Sequence, residues 1–205
     1  MAGALGLAAM LPACAATPST GPRSCAIDYA DMRDRELAII ETAEEILSTV
    51  SESEPGPEQM AQLERGLALL GSRERVVDSL DLSIIESAAA MLASEDLWDW
   101  QDDRQCARAD ATISLFCALQ FASIDATGSY QHRRTGLQEV RLALQDATPG
   151  RDYAHRLRDF NNDPRTSLED VRAVLDTAYA RVEYRLAMQQ ACEWIPPLME
   201  MDLAA

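Results

Sequence analysis

The chain predicts an all-α domain, a single irregular bundle of six to seven helices, and three observations carry that expectation. Apolar residues recur three and four positions apart over long stretches, the spacing of one helix face. Ala, Leu, Glu and Arg dominate a 205-residue composition with only three Phe, three Trp and nine Gly, a mix that favours helix. No run alternates apolar and polar residues between turn signals, so no strand is expected.

Leu37, Ile40, Ala43, Leu47 and Val50 form a stripe over 31–50, the first helix, which the run Ser51-Glu52-Ser53-Glu54-Pro55-Gly56-Pro57 breaks. A second helix spans about 58–70 and stops at Gly71. Ser72 is placed to cap a third over 73–93, in which Ala88, Ala89 and Ala90 permit close helix approach. The acidic stretch 94–105 carries Trp98 and Trp100 and reads as solvated surface, an exposed Trp being a hint of partner contact. A fourth helix sets Ile113, Phe116, Cys117, Phe121 and Ile124 on one face and ends before Gly128. The fifth covers 135–147, stopped by Thr148-Pro149-Gly150. A short helix over 151–158 leads into the polar loop Asp159-Phe160-Asn161-Asn162-Asp163-Pro164. The last helix, 168–192, turns Val171, Val174, Leu175, Ala178, Val182 and Leu186 inward, and Pro196 and Pro197 end it.

Ahead of these helices, an uncharged run from Ala2 to Leu11 ends in Leu11-Pro12-Ala13-Cys14. It resembles a bacterial lipoprotein signal peptide, whose lipobox places Leu three residues before the cysteine and a small residue just before it. The resemblance implies export, diacylation of Cys14 and a mature chain beginning there. The run is too short for a membrane span, which needs about 20 residues, so membrane contact is expected only through a lipid anchor. The chain then divides into a leader and tether, 1–24, and one helical domain, 25–205. That domain has about 180 residues, enough for a sizeable core.

All 18 basic residues are Arg, against 34 Asp and Glu, for a net charge of −16. A GC-rich codon bias accounts for the missing Lys across a whole chain. Such an excess of negative charge repels phosphate backbones, so nucleic acid is not an expected partner.

With Cys14 lipidated, Cys25, Cys106, Cys117 and Cys192 remain as disulfide candidates in an oxidising compartment. If Cys106 and Cys117 share one helix, they stand about 16 Å apart. A disulfide needs Cα atoms within about 7 Å, so Cys25 and Cys192 would be left as partners. If the helix starts near Asp110, Cys106 falls in a loop and that exclusion weakens.

Rare residues cluster. Asn161 and Asn162 are the only Asn in the chain, and His132 and His155, followed by Arg133 and Arg156, are the only His. Residues 131–185 hold ten Arg against nine acids, whereas the rest of the chain holds eight against 25. Asp159, Asn161, Asp163, Ser167 and Asp170 take positions 1, 3, 5, 9 and 12 of a loop that resembles the calcium loop of EF-hand proteins. The resemblance implies calcium as the one cofactor alternative to none. Pro164 stands where that loop turns on Gly, and Asp170 where it uses a longer Glu, so a rigid turn with a helix cap at Ser167 is the simpler expectation. His132 and His155, with Arg133 and Arg156, are the candidate groups of an enzyme or small-molecule binder. No nucleophile elbow, zinc-protease helix or phosphate loop accompanies them. The expected function is therefore that of an exported, lipid-anchored, non-enzymatic module. It binds an envelope protein partner or serves structure, at the periplasmic face of a bacterial membrane or at the cell surface.

Overall fold

A computed structural model describes residues 28–50 and 56–191. Within them are seven α-helices: α1 (Tyr29–Ser48), α2 (Pro57–Gly71), α3 (Ser79–Met91), α4 (Leu115–Thr127), α5 (Thr135–Ala147), α6 (Arg156–Asn162) and α7 (Leu168–Gln190), with a 3-10 turn at Glu95–Leu97. The described residues contain no strand, only an isolated parallel bridge between Trp98 and Ile113. The fold is all-α. Cys14, Cys25 and Cys192, and the leader and tether, lie outside the described residues.

One core joins α3, α4, α5, α6 and α7. Its fully enclosed side chains include Ile84, Ile85, Leu92, Leu115, Leu119, Leu137, Leu144, Phe160 and Leu175. Helix α7 earns its length through the stripe Val171, Val174, Leu175, Ala178 and Val182, each buried. It packs on α3 and α5, and the buried Arg185–Glu139 pair, 2.7 Å, ties it to α5. A second, smaller cluster of Ile40, Ala43 and Leu70, flanked by Leu47 and Leu69, holds α1 against α2. A Cβ on Gly66 would come within 2.8 Å of Leu47, so glycine is what lets the two helices approach there.

A polar seam, rather than shared apolar core, joins this hairpin to the rest. Arg33 and Glu36 pair at 2.9 Å on the buried face of α1. Arg33 also binds Asp81 of α3. Glu36 accepts from Val76 N–H at 3.0 Å and from the Thr135 hydroxyl at 2.9 Å. Asp81 accepts further bonds from Gly136 N–H, 2.9 Å, Arg134 Nε, 2.8 Å, and Asp78 N–H, 2.9 Å. One carboxylate thus caps two helix N-termini, α3 and α5, and neutralises two guanidiniums. Burial pushes the Asp81 and Glu36 carboxyls upward, against the pull of their Arg partners.

Three boundaries differ from the sequence expectation. Helix α3 starts at Ser79, capped by Asp78, because residues 73–77 run as a connector. Val76 is tied to Glu36 and Val77 to Gln189, and Arg75 has φ +31°, so the backbone is committed before a helix can form. Helix α4 starts at Leu115, since Ile113 is spent in the bridge to Trp98. Helix α6 is shifted to Arg156–Asn162, which places both Asn inside its last turn instead of in a loop.

Candidate functional site: a clamped tryptophan loop

The stretch from Ser94 to Ser114 between α3 and α4 is irregular yet held at many points. Ile113 N–H donates to Leu97 O at 2.7 Å and Asp99 N–H to Ile113 O at 2.9 Å, closing the bridge. Cys106 and Cys117 form a disulfide, with Cα atoms 5.4 Å apart. This overturns the exclusion of that pair: it required both residues on one helix, whereas Cys106 lies in the loop and Cys117 in the first turn of α4.

The two Asn complete the hold. Asn161 Oδ1 accepts from the Trp98 indole N–H at 2.9 Å and from Leu115 N–H at 3.1 Å, while its Nδ2 donates to Asp99 O at 2.8 Å. Asn162 Oδ1 accepts from Asp102 N–H at 2.7 Å, and its Nδ2 donates back to Asp102 O at 2.9 Å. A primary amide offers an acceptor and a donor on one planar head, and here each amide reads a backbone or indole partner with both ends. Asp102 is 4 % exposed. Burial raises its pKa, and the Arg104 N–H and Ser114 hydroxyl pull it back only in part.

Against this fixed background the loop presents apolar surface. Trp100 is 54 % and Leu97 41 % exposed. The exposed acids Glu95, Asp96, Asp103 and Asp110 surround them in sequence. The loop's two cations are turned onto rings instead: Arg104 lies 5.4 Å from the Phe116 centroid and Arg108 4.6 Å from that of Phe121. A hollow of about 340 Å³ lined by Met91, Leu97, Ile113 and Phe121, with Arg108 and Asp110 also in its wall, adjoins the loop.

The other candidates occupy separate places. His132 precedes α5 and approaches Glu44 of α1 at 3.5 Å and the Tyr130 ring at 6.0 Å. Burial, then Arg133, Arg141 and Arg73, lowers its pKa to about 4. Arg133 reaches Glu44 at 3.6 Å. His155 is exposed and is the N-cap residue of α6. Arg156 lines a hollow with Leu144, Gln145 and Thr148 at the opposite, C-terminal end of α5. His132 thus precedes the first turn of α5, whereas Arg156, next to His155, stands by its last.

The five residues of the calcium-like loop do not converge either. Asp159 accepts from His155 N–H at 2.8 Å and from Arg158. Asn161 is committed to the tryptophan loop. Asp163 takes Arg165 at 2.6 Å and the Tyr153 hydroxyl at 2.8 Å, contacts that hold it well below the usual carboxylate range. Ser167 and Asp170 form the reciprocal cap of α7, as the simpler reading expects. Among the described residues no three His, Cys, Asp or Glu side chains are grouped to hold a metal ion, and no helix is long and apolar enough to cross a membrane.

The family described as "Family of unknown function (DUF6197)" matches residues 75–181, more than half of the chain. The chain belongs to DUF6197. No curated protein and no solved structure matches it. The DUF6197 match begins in the connector before α3 and ends within α7, so it takes in the main core, the clamped loop and both Asn. The α1–α2 hairpin lies outside it.

Proposed function

We propose that this protein is an exported, lipid-anchored binding module that uses the loop at 94–114 to recognise a protein partner of the cell envelope. One observation carries the reading: the loop is fixed by a disulfide, a backbone bridge and two Asn side chains, yet leaves Trp100 and Leu97 exposed. A helix core gains nothing from fixing an exposed Trp. A binding site does, because conformational freedom lost before association is not lost during it, and large aromatic side chains dominate interface energy. The acidic surround favours a partner with Arg or Lys near its apolar contact, able to stack on the indole. Disulfide chemistry and the Leu11-to-Cys14 motif support export.

The rival, an enzyme or small-molecule binder built on His132 and His155, has its groups at opposite ends of α5. The test is photocrosslinking in the native cell, with a benzophenone amino acid at position 100 and, as control, at Glu58 on α2. A discrete protein adduct from position 100 and none from 58 is the expected result. No adduct at 100, in protein confirmed to be folded and membrane-associated, would contradict the binding role.

A further inference from the structure

We propose that Arg104, Tyr130, His132 and Arg141 form a binding site for a soluble phosphate or phosphomonoester. The four meet where the α4–α5 connection, α5 and the clamped loop come together. Arg141 Nη1 donates to His132 O at 2.8 Å and to Leu137 O at 3.2 Å, and its guanidinium also donates to the Tyr130 hydroxyl. These partners are all neutral. Arg104 arrives from the clamped loop: it lies 5.4 Å from the Phe116 centroid, and the Phe116 ring meets that of Tyr130 edge-on at 5.8 Å. Its charge acts on the Tyr130 hydroxyl from there. The His132 ring stands 6.0 Å from that of Tyr130, its side chain 40 % exposed. Among the described residues neither Arg104 nor Arg141 is paired with a carboxylate.

Acids outnumber Arg by 34 to 18 in this chain, and Arg33, Arg134 and Arg185 are each held by a buried carboxylate. Two guanidiniums left together without one are therefore an exception that an anion would resolve. The groups present suit an oxyanion. Two planar guanidiniums offer several donors, and Tyr130 keeps its O–H as a donor, since burial raises its pKa. The nearby acid is Glu44, 3.5 Å from His132 Nδ1 and 3.6 Å from Arg133 Nε. Its distance to His132 is longer than a normal hydrogen bond. Burial, with Arg133, Arg141 and Arg73, keeps the His132 ring uncharged at neutral pH. A bound dianion would favour the protonated ring and raise that pKa. An anionic bilayer would press against many acids of this surface at once. A small dianion meets only the local charge, because salt screens the rest beyond about 8 Å. That difference favours a soluble ligand.

His132 and His155 are the only histidines, so the imidazole C–H signals in a proton NMR spectrum report on this site and on one control. The test titrates the purified protein with inorganic phosphate at neutral pH, with chloride holding the ionic strength constant. A saturable shift of the His132 signals is the expected result, with an upward move of the His132 pKa from about 4 and no saturable shift at His155. No saturable shift at His132, or an equal one at His155, would overturn the site. Arg104→Gln, on an exposed side chain, should weaken phosphate binding about tenfold, the loss of one charge-assisted hydrogen bond. Unchanged affinity in that variant would contradict the proposal. Glu44→Gln removes the neighbouring acid and should tighten binding several-fold; an unchanged or weaker affinity would count against the site as well. Phosphatidylglycerol vesicles should leave the His132 signals in place, and a shift with vesicles would overturn the soluble source and put the phosphate on a lipid headgroup.

Discussion

Asn161 engages three partners from two separate stretches of chain: the Trp98 indole and Asp99 O from one, and Leu115 N–H from the other. Asn161→Ala removes both ends of the amide and leaves a buried backbone N–H without its acceptor, a loss of about 2–4 kcal/mol. Chemical denaturation should show that loss together with a red shift of Trp98 emission. Excess calcium should leave the unfolding midpoint of the unaltered protein in place, since each candidate ligand is already used by protein. His132 makes a pH prediction. Its folded pKa, about 4, lies below the unfolded value of about 6.5. The stability this group contributes is therefore complete above pH 6.5 and is lost as pH falls from 6.5 towards 4. His132→Gln should flatten stability against pH across that window. It should leave the steeper loss below pH 4, which belongs to Asp163, Asp170, Asp159 and Asp78, whose pKa values are lowered. Glu36, Asp81 and Asp102 act in the opposite sense, because their folded pKa values are raised.

At the scale of elements, the seam beneath α1 is the place where one side chain holds several helices. Asp81→Ala takes the buried carboxylate that Arg33 and Arg134 share, leaving them to Glu36 and Asp78, and takes a capping acceptor from α5. It should cost about 3–5 kcal/mol, read from denaturant midpoints, and should free the hairpin to protease before the core unfolds. Helix-level structure was legible to different degrees for physical reasons. Helix α5 and the start of α7 announce themselves, because Pro149-Gly150 and the Ser167–Asp170 cap act locally. Helix α3 does not: what stops it from starting at Arg73 is a bond from Val76 to a residue 40 positions earlier. The Arg33–Glu36 pair carried a readable signal, since both residues extend the Ile40–Ala43 stripe towards the N-terminus at helical spacing, and charges on an apolar face demand partners. The Asn pair was legible as a rarity but not as a clamp, because its partners sit 46 to 63 residues away in the sequence.

For the whole molecule, the DUF6197 region supplies the core and the fixed loop, and the hairpin is added to it through an ionic seam. The all-α architecture followed from apolar periodicity, a helix-favouring composition and the lack of alternating runs. The disulfide in the loop did not, since its formation turns on where α4 begins, which the Trp98–Ile113 bridge decides. The proposed function joins this architecture to a place: an exported domain, held by lipid at Cys14, presenting Trp100 to a partner. Its export half is tested most directly by intact-mass and N-terminal peptide spectrometry of protein extracted from the membranes of native cells. The account predicts a chain whose first residue is Cys14 carrying a diacylglyceryl group. A soluble chain that retains an unmodified Met1 would contradict it.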